Sequence, residues 1–297
     1  LKKQLSSRIP GGVIQIILGL GVVVTILTTL LVMVILTVDT SHFFKEVSFA
    51  QFFLSTRWEP LVEPRTYGIW PLIAGTYLVA IGAMAFAVPM GILCAVFTTQ
   101  YATDKVQITL KPILEILAGI PTVVYGYFAL NFITPNLQKI FPNLQVFNAL
   151  SAAIVVGVMI LPMISSLTDD ALRALPRHLK EGGYALGATS FELARDILLP
   201  AASGRIVAAV LLALSRAIGE TMAVAMAAGS TPKLTANFFE SIQTMTGYMV
   251  QVSLGDTEAG GVAYYSSFAV GALLFLMTMC MNTIGNAFIV RSYKDLG

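Results

Sequence analysis

"EGGYALGATSFELARDILLP", residues 181–200, interrupts two long apolar blocks with a segment too polar for hydrocarbon. The surrounding loop, 169–203, is organised by small residues and helical spacing. Pro176 opens a segment in which Leu179, Gly182, Gly183, Leu186 and Gly187 alternate with charge, and Thr189-Ser190 then cap "TSFELARDILL", whose apolar residues fall at helical intervals. The pattern predicts two short amphipathic helices. Glycine lacks Cβ, so such a helix can be approached closely by another surface. Composition alone would describe a helix lying at the membrane interface. The spacing says more: Glu181, small Gly182 and Gly183, three residues, Gly187, nine residues, Ile197, one residue, then Leu199-Pro200.

Outside this loop the chain is built for lipid. It has 297 residues, 56% of them hydrophobic and 11% charged, with a net charge of +2. Its mean hydropathy is +0.80. A soluble domain carries about a quarter charged residues. Six blocks, approximately 12–38, 69–98, 110–134, 149–168, 204–229 and 265–290, are long enough to cross roughly 30 Å of hydrocarbon as helices. The first follows a basic start but is too long for a signal peptide and lacks a small-x-small cleavage site, so it reads as an uncleaved helix. With an inside N-terminus, the inside segments hold Lys2, Lys3, Arg8, Lys105, Lys111, Arg173, Arg177, Lys180, Arg195, Arg205, Arg291 and Lys294. The outside loops hold Lys45, Arg57, Arg65, Lys139 and Lys233. The positive-inside rule then puts both termini in the cytoplasm.

The expected division is a first helix and outside loop (1–68), a membrane core (69–290) carrying the inside loop 169–203, and a short tail (291–297). The long outside loops 39–68 and 230–264 mix acids with aromatics. They read either as interfacial anchors and solvated turns or as a docking surface. Cys94 and Cys280 lie in apolar blocks and His42 and His178 in separate loops, which suggests neither a disulfide framework nor a metal cluster. Nucleic acid is not an expected partner.

The spacing around Glu181 resembles the EAA loop of ABC-importer permeases, E-A-A-x3-G-x9-I-x-L-P, with glycines at both alanine positions. "TYGIWPLIAGTYLVA" (66–80), "LAGIPTVVYGYF" (117–128) and "SRAIGETMAV" (215–224) add a likeness to the phosphate-specific (Pst) permeases, and "RAIGETMAV" favours the PstC type over its PstA-type partner. The resemblance implies an all-α, six-helix, type I ABC-importer permease in the bacterial inner membrane. It also implies a PstA-like second permease, two PstB-like ATPase subunits that bind ATP and Mg, and a PstS-like periplasmic phosphate-binding protein. Glu181, Gly182, Gly183 and Gly187 would then form the contact with the ATPase.

Some of this stands on the residues themselves. No G-x-x-x-x-G-K-[ST] occurs, so this chain has no P-loop for ATP and is expected to be no enzyme and to hold no cofactor or metal. Arg216 and Glu220 are four apart, which on a helix puts them on one face. A charge near the bilayer centre costs about 2.5–3.5 kcal/mol on insertion scales, so each must face the bundle interior or water. They read either as a mutually neutralising pair or as part of a polar pathway with Ser215, Gly219 and Thr221. Arg216 has the planar fork suited to phosphate oxygens. Glu220 could accept the proton that phosphate keeps near neutral pH and sulfate lacks. Pro121 must bend or interrupt the third block, and Thr122 and Tyr125 beyond it read either as packing or as pathway lining. Glu115 reads as an interfacial or inter-subunit contact. Other readings are a permease for molybdate or sulfate, a PstA-type subunit, an anion channel, or a secondary transporter, although no internal repeat supports the last.

Overall fold

The helix that opens the described chain has almost nothing to bury against. The computed structural model describes residues 11–258 and 260–294. Lys2, Lys3 and Arg8, on which the inside N-terminus partly rests, lie outside these residues, as does the end of the tail. Helix α1 (Gly11–Glu46) is apolar on every side and its membrane-length window is exposed throughout, the pattern of a helix facing lipid. It packs on α13 (Val262–Lys294) near one end, where Leu36 comes within reach of Gly271.

Between them lie α2 (Phe49–Leu54), a two-residue hairpin β1 (Trp58–Glu59) and β2 (Thr66–Tyr67), and then α3 (Trp70–Val96). Next come α4 (Asp104–Gly119), α5 (Thr122–Phe128), α6 (Thr134–Ile140) and α7 (Ala149–Arg173). The remainder is α8 (Arg177–Ala185), α9 (Ser190–Glu192), α10 (Leu199–Ile218), α11 (Met222–Ala227), α12 (Met245–Gln251) and α13. Apart from the short hairpin, the described secondary structure is helical. Among the described residues, five helical stretches are long and apolar enough to cross a membrane.

The third expected span is not a straight helix. Asp104–Gly119 and Thr122–Ile140 meet at an angle of 89° and make a sixth crossing only as a bent pair. The cause is Pro121, whose missing N–H and restricted φ end α4 before it. Tyr125 spans the bend, its hydroxyl donating to the Leu117 carbonyl at 2.7 Å. A carbonyl released by the break is thereby satisfied inside the protein.

The centre is α3 against α7, with α5, α10 and α11 around them. Gly91 sits so close to α7 that a Cβ there would stand 2.7 Å from Ile164 Cγ2. Small residues at such points let the backbones approach where no hydrophobic drive separates protein from lipid. A cluster including Ala83, Val156, Ile160, Ala213 and Ile218 fills this centre.

The two ends of the bundle have their own cores. At one, Phe43, Phe52, Trp58, Tyr67 and Tyr248 pack edge to face, with Trp58 and Tyr248 rings 4.9 Å apart. The middle of the 230–264 segment is therefore buried rather than solvated. Ile242, Gln243 and Thr244 are buried, and the carbonyls of Phe238 and Glu240 accept the N–H groups of Leu150 and Ala149, closing the start of α7. At the other end, Leu172, Leu193 and Leu198 form a third core beneath α8.

The inside loop also differs from its expectation. Only α8 is a separate short helix. The "TSFELARDILL" stretch begins the fourth of the five long helical stretches, which runs from Ser190 to Ile218 through a π-turn at Leu193–Leu198. Its start is fixed by a capping box in which Thr189 accepts from the Glu192 N–H and Glu192 accepts from the Thr189 N–H.

Candidate substrate pathway

Arg216 and Glu220 do not share a helical face. Helix α10 ends at Ile218 with Gly219 as its cap, and α11 restarts at Met222, leaving Gly219, Glu220 and Thr221 in a gap. Arg216 is in the last turn of α10, where a cation complements the helix dipole, and its side chain is exposed. Glu220 is 8% exposed. Its Oε1 accepts the Ala223 N–H at 3.2 Å, one of the free donors at the start of α11. Its backbone carbonyl accepts the Thr246 hydroxyl at 2.8 Å. Among the described residues no ion pair joins the two. The expected pair is thus two separately held charges. Glycine and the competing side-chain cap end the helix before its periodicity reaches Glu220.

Arg216 lines a cavity of about 350 Å³ whose other polar walls come from α4, α7 and the π-turn Phe97–Tyr101 that continues α3. Thr98, Lys111, Glu115, Ser165, Ser166, Asp169 and Asp170 face it, with Met159, Pro162 and Met163 along the apolar side. Asp169 organises the α8 end of this cavity. It is 5% exposed and accepts from Arg173 Nε at 2.8 Å and from Thr98 Oγ1 at 3.1 Å, with Lys111 Nζ at 3.4 Å. Arg173 also donates to Gln107 Oε1 at 3.0 Å. One buried carboxylate therefore ties α3, α4 and α7 together, with the compensation a buried charge requires.

The other pathway candidates stand outside this lining. Ser215 is buried with its Oγ lacking a hydrogen-bond partner. Thr221 donates to the Gly219 carbonyl at 3.1 Å within the gap. Thr122 is half-buried at the start of α5, and Tyr125 is occupied in bridging the bend. Lys111, Ser165, Ser166 and Asp169 were not singled out from the sequence as pathway residues. The available signal was Asp169 four residues before Arg173, a helical pair in the last turn of α7 rather than in a loop.

In the 177–198 segment the glycines have different uses. Gly183 faces inward, and a Cβ there would meet Leu193 Cδ1 at 2.5 Å and Ile197 Cδ1 at 2.9 Å. It serves packing within the segment, not approach by another surface. Gly187 has φ of +87° and ends α8 with its N–H on the Tyr184 carbonyl, a left-handed turn that glycine makes without strain. Gly182 has open space around it, and Glu181 is exposed beside it. Tyr184, Leu186 and Phe191 are exposed large residues on the same segment, with Leu186 at 89%.

Membrane-length helices, a bent third crossing and a charged cavity within the bundle suit a membrane transport component, and likeness to known proteins says of which type. The family model for the binding-protein-dependent transport system inner membrane component matches residues 87–292. Solved structures agree in fold. The methionine transporter MetNI in an inward-facing form aligns with a TM-score of 0.56 at 20% identity, covering 76% of this chain and 94% of that one. An amino acid ABC transporter aligns at 0.53 and 16% identity, covering 75% and 92%.

Relatives in sequence narrow the class. "Probable ABC transporter permease protein YqgH" of Bacillus subtilis is 37% identical over 232 residues, 78% of this chain and 75% of that protein. The phosphate transport system permease protein PstC of Mesorhizobium japonicum is 32% identical over 260 residues, 81% and 78% of the two chains. PstC of Haemophilus influenzae is 30% identical over 265 residues, 83% and 82%. The chain belongs to the phosphate (Pst) family of ABC-transporter permeases. It is a multi-pass inner-membrane protein and a transport component without its own ATPase activity.

Proposed function

We propose that this chain is the PstC-type permease subunit of an ATP-driven importer of inorganic phosphate, forming half of the translocation pathway. The observation that carries this reading is Arg216, a permanent cation at the end of a broken membrane helix, facing a cavity inside the bundle. Arginine's fork matches phosphate oxygens, and its cost in a membrane demands a function. Glu220, Ser215 and Thr221 sit at the same break, and Thr122 and Tyr125 flank the bend opposite α11. With both termini cytoplasmic, α8 and the Asp169 end of the cavity face the cytoplasm.

The partners follow the same reading: a PstA-like second permease, two PstB-like ATPase subunits and a PstS-like periplasmic binding protein. Glu181, Gly182, Gly183 and Gly187 belong to the segment that couples to the ATPase. The contact surface is supplied by Glu181, Gly182 and the exposed Tyr184, Leu186 and Phe191, while Gly183 and Gly187 shape the segment from within. Exposed apolar residues outside the hydrocarbon, held on a packed base, suit a protein partner.

The test is radiolabelled phosphate uptake into proteoliposomes holding the full complex, with sulfate and molybdate as competitors. ATP-dependent uptake that unlabelled phosphate suppresses more strongly than either competitor is expected. Preference for another oxyanion, or uptake without ATP, overturns the reading.

A further inference from the structure

Two cations line the cavity, and only one of them ends a broken membrane helix. The other, Lys111 on α4, is held lightly. Asp169 is already bonded by Arg173 at 2.8 Å and Thr98 at 3.1 Å, so Lys111 at 3.4 Å is its third and longest partner. Its side chain is 48% exposed. Lys111 can leave Asp169 without stranding a buried charge, because the carboxylate keeps two partners. Lysine suits such an exchange, being a compact charge on a flexible stem.

Two serines line the same cavity as the two cations. Ser165 lies one turn before Asp169 on α7, Ser166 is exposed beside it, and both line the cavity. The space of about 350 Å³ exceeds the roughly 30 Å³ that one water occupies in the liquid by enough to admit a small hydrated anion. An anion held by Arg216 alone would face a single deep well, whereas release is faster when sites are multiple and individually weak. Glu115, Asp170 and Asp169 on the same walls keep any anion site there weak.

We propose that Lys111 forms a second oxyanion station, on the exit side of Arg216, which takes phosphate by exchanging Asp169 for the anion. This rests on the phosphate-import reading and adds a site and a residue to it. Phosphate accumulating on the cytoplasmic side would reoccupy the station and slow further import.

The experiment uses proteoliposomes holding the whole complex, with ATP enclosed, binding protein outside and unlabelled phosphate enclosed at graded concentrations. Uptake by the wild type is expected to fall as enclosed phosphate rises. In K111Q the inhibitory concentration is expected to rise about tenfold, the scale of one charge-assisted hydrogen bond, whereas K111R stays near the wild type. A K111Q complex as sensitive as the wild type overturns the station, as does K111R behaving like K111Q, or a wild type indifferent to enclosed phosphate. Failure of K111Q to assemble also overturns it, making Lys111 a structural latch. A wild type that takes up no phosphate overturns the import reading itself and the station with it.

Discussion

Glu220 is already engaged before any substrate arrives, since one carboxylate oxygen accepts the Ala223 N–H at 3.2 Å. On the proposed phosphate-import reading its function would depend on the second oxygen, which would accept a proton that phosphate carries and sulfate does not. E220Q retains an oxygen for Ala223, so the complex is expected to assemble. Phosphate uptake is expected to fall and sulfate to inhibit relatively more strongly, measured with a binding protein that admits both ions. Unchanged sulfate inhibition with lost thermal stability would reduce Glu220 to a cap of α11. Thr246 bears on the same gap from α12, because its hydroxyl satisfies the Glu220 carbonyl at 2.8 Å in a fully buried setting. T246V leaves that carbonyl without a partner, at about 1–3 kcal/mol. Reduced thermal stability and reduced uptake are expected, with T246S restoring both; a silent T246V would separate α12 from the pathway.

At the scale of elements, the two neighbouring glycines of α8 make opposite predictions. Leucine at Gly183 would collide with Leu193 and Ile197, so G183L is expected to destabilise the segment by about 1–3 kcal/mol, read as a lower melting temperature of the purified permease. Leucine at Gly182 meets nothing within the chain. G182L is therefore expected to keep its melting temperature but lose co-purification of the ATPase subunits. Equal melting losses in both, or full co-purification with G182L, would contradict the assignment of contact and packing faces. The sequence spacing singled this segment out but could not divide its glycines, because the same small residue serves a buried contact, a left-handed turn and an open surface. Pro121 was legible as a break because its missing N–H is a local fact. That the break turns the chain by 89° was not, since the angle depends on the neighbouring helices. The end of α10 was missed for the related reason that apolar composition continues to 229 while the helix stops at Ile218.

Across the whole molecule, the apolar blocks gave the membrane setting and nearly the right number of crossings, since hydrophobic length is an additive property of sequence. The cavity could not be read in this way. Its walls come from four helices, and its organising residue, Asp169, lies 71 residues from Thr98 and 58 from Lys111 in the chain. What sequence did supply was Arg216, because a permanent charge in an apolar block is conspicuous wherever it points. The most direct measurement is ATP-driven phosphate uptake by the complete complex carrying R216A, alongside R216K, with assembly checked by co-purification of all subunits. An assembled complex with almost no uptake in R216A and partial uptake in R216K is expected, since lysine keeps the charge and loses the fork. Wild-type uptake by an assembled R216A complex would contradict the account.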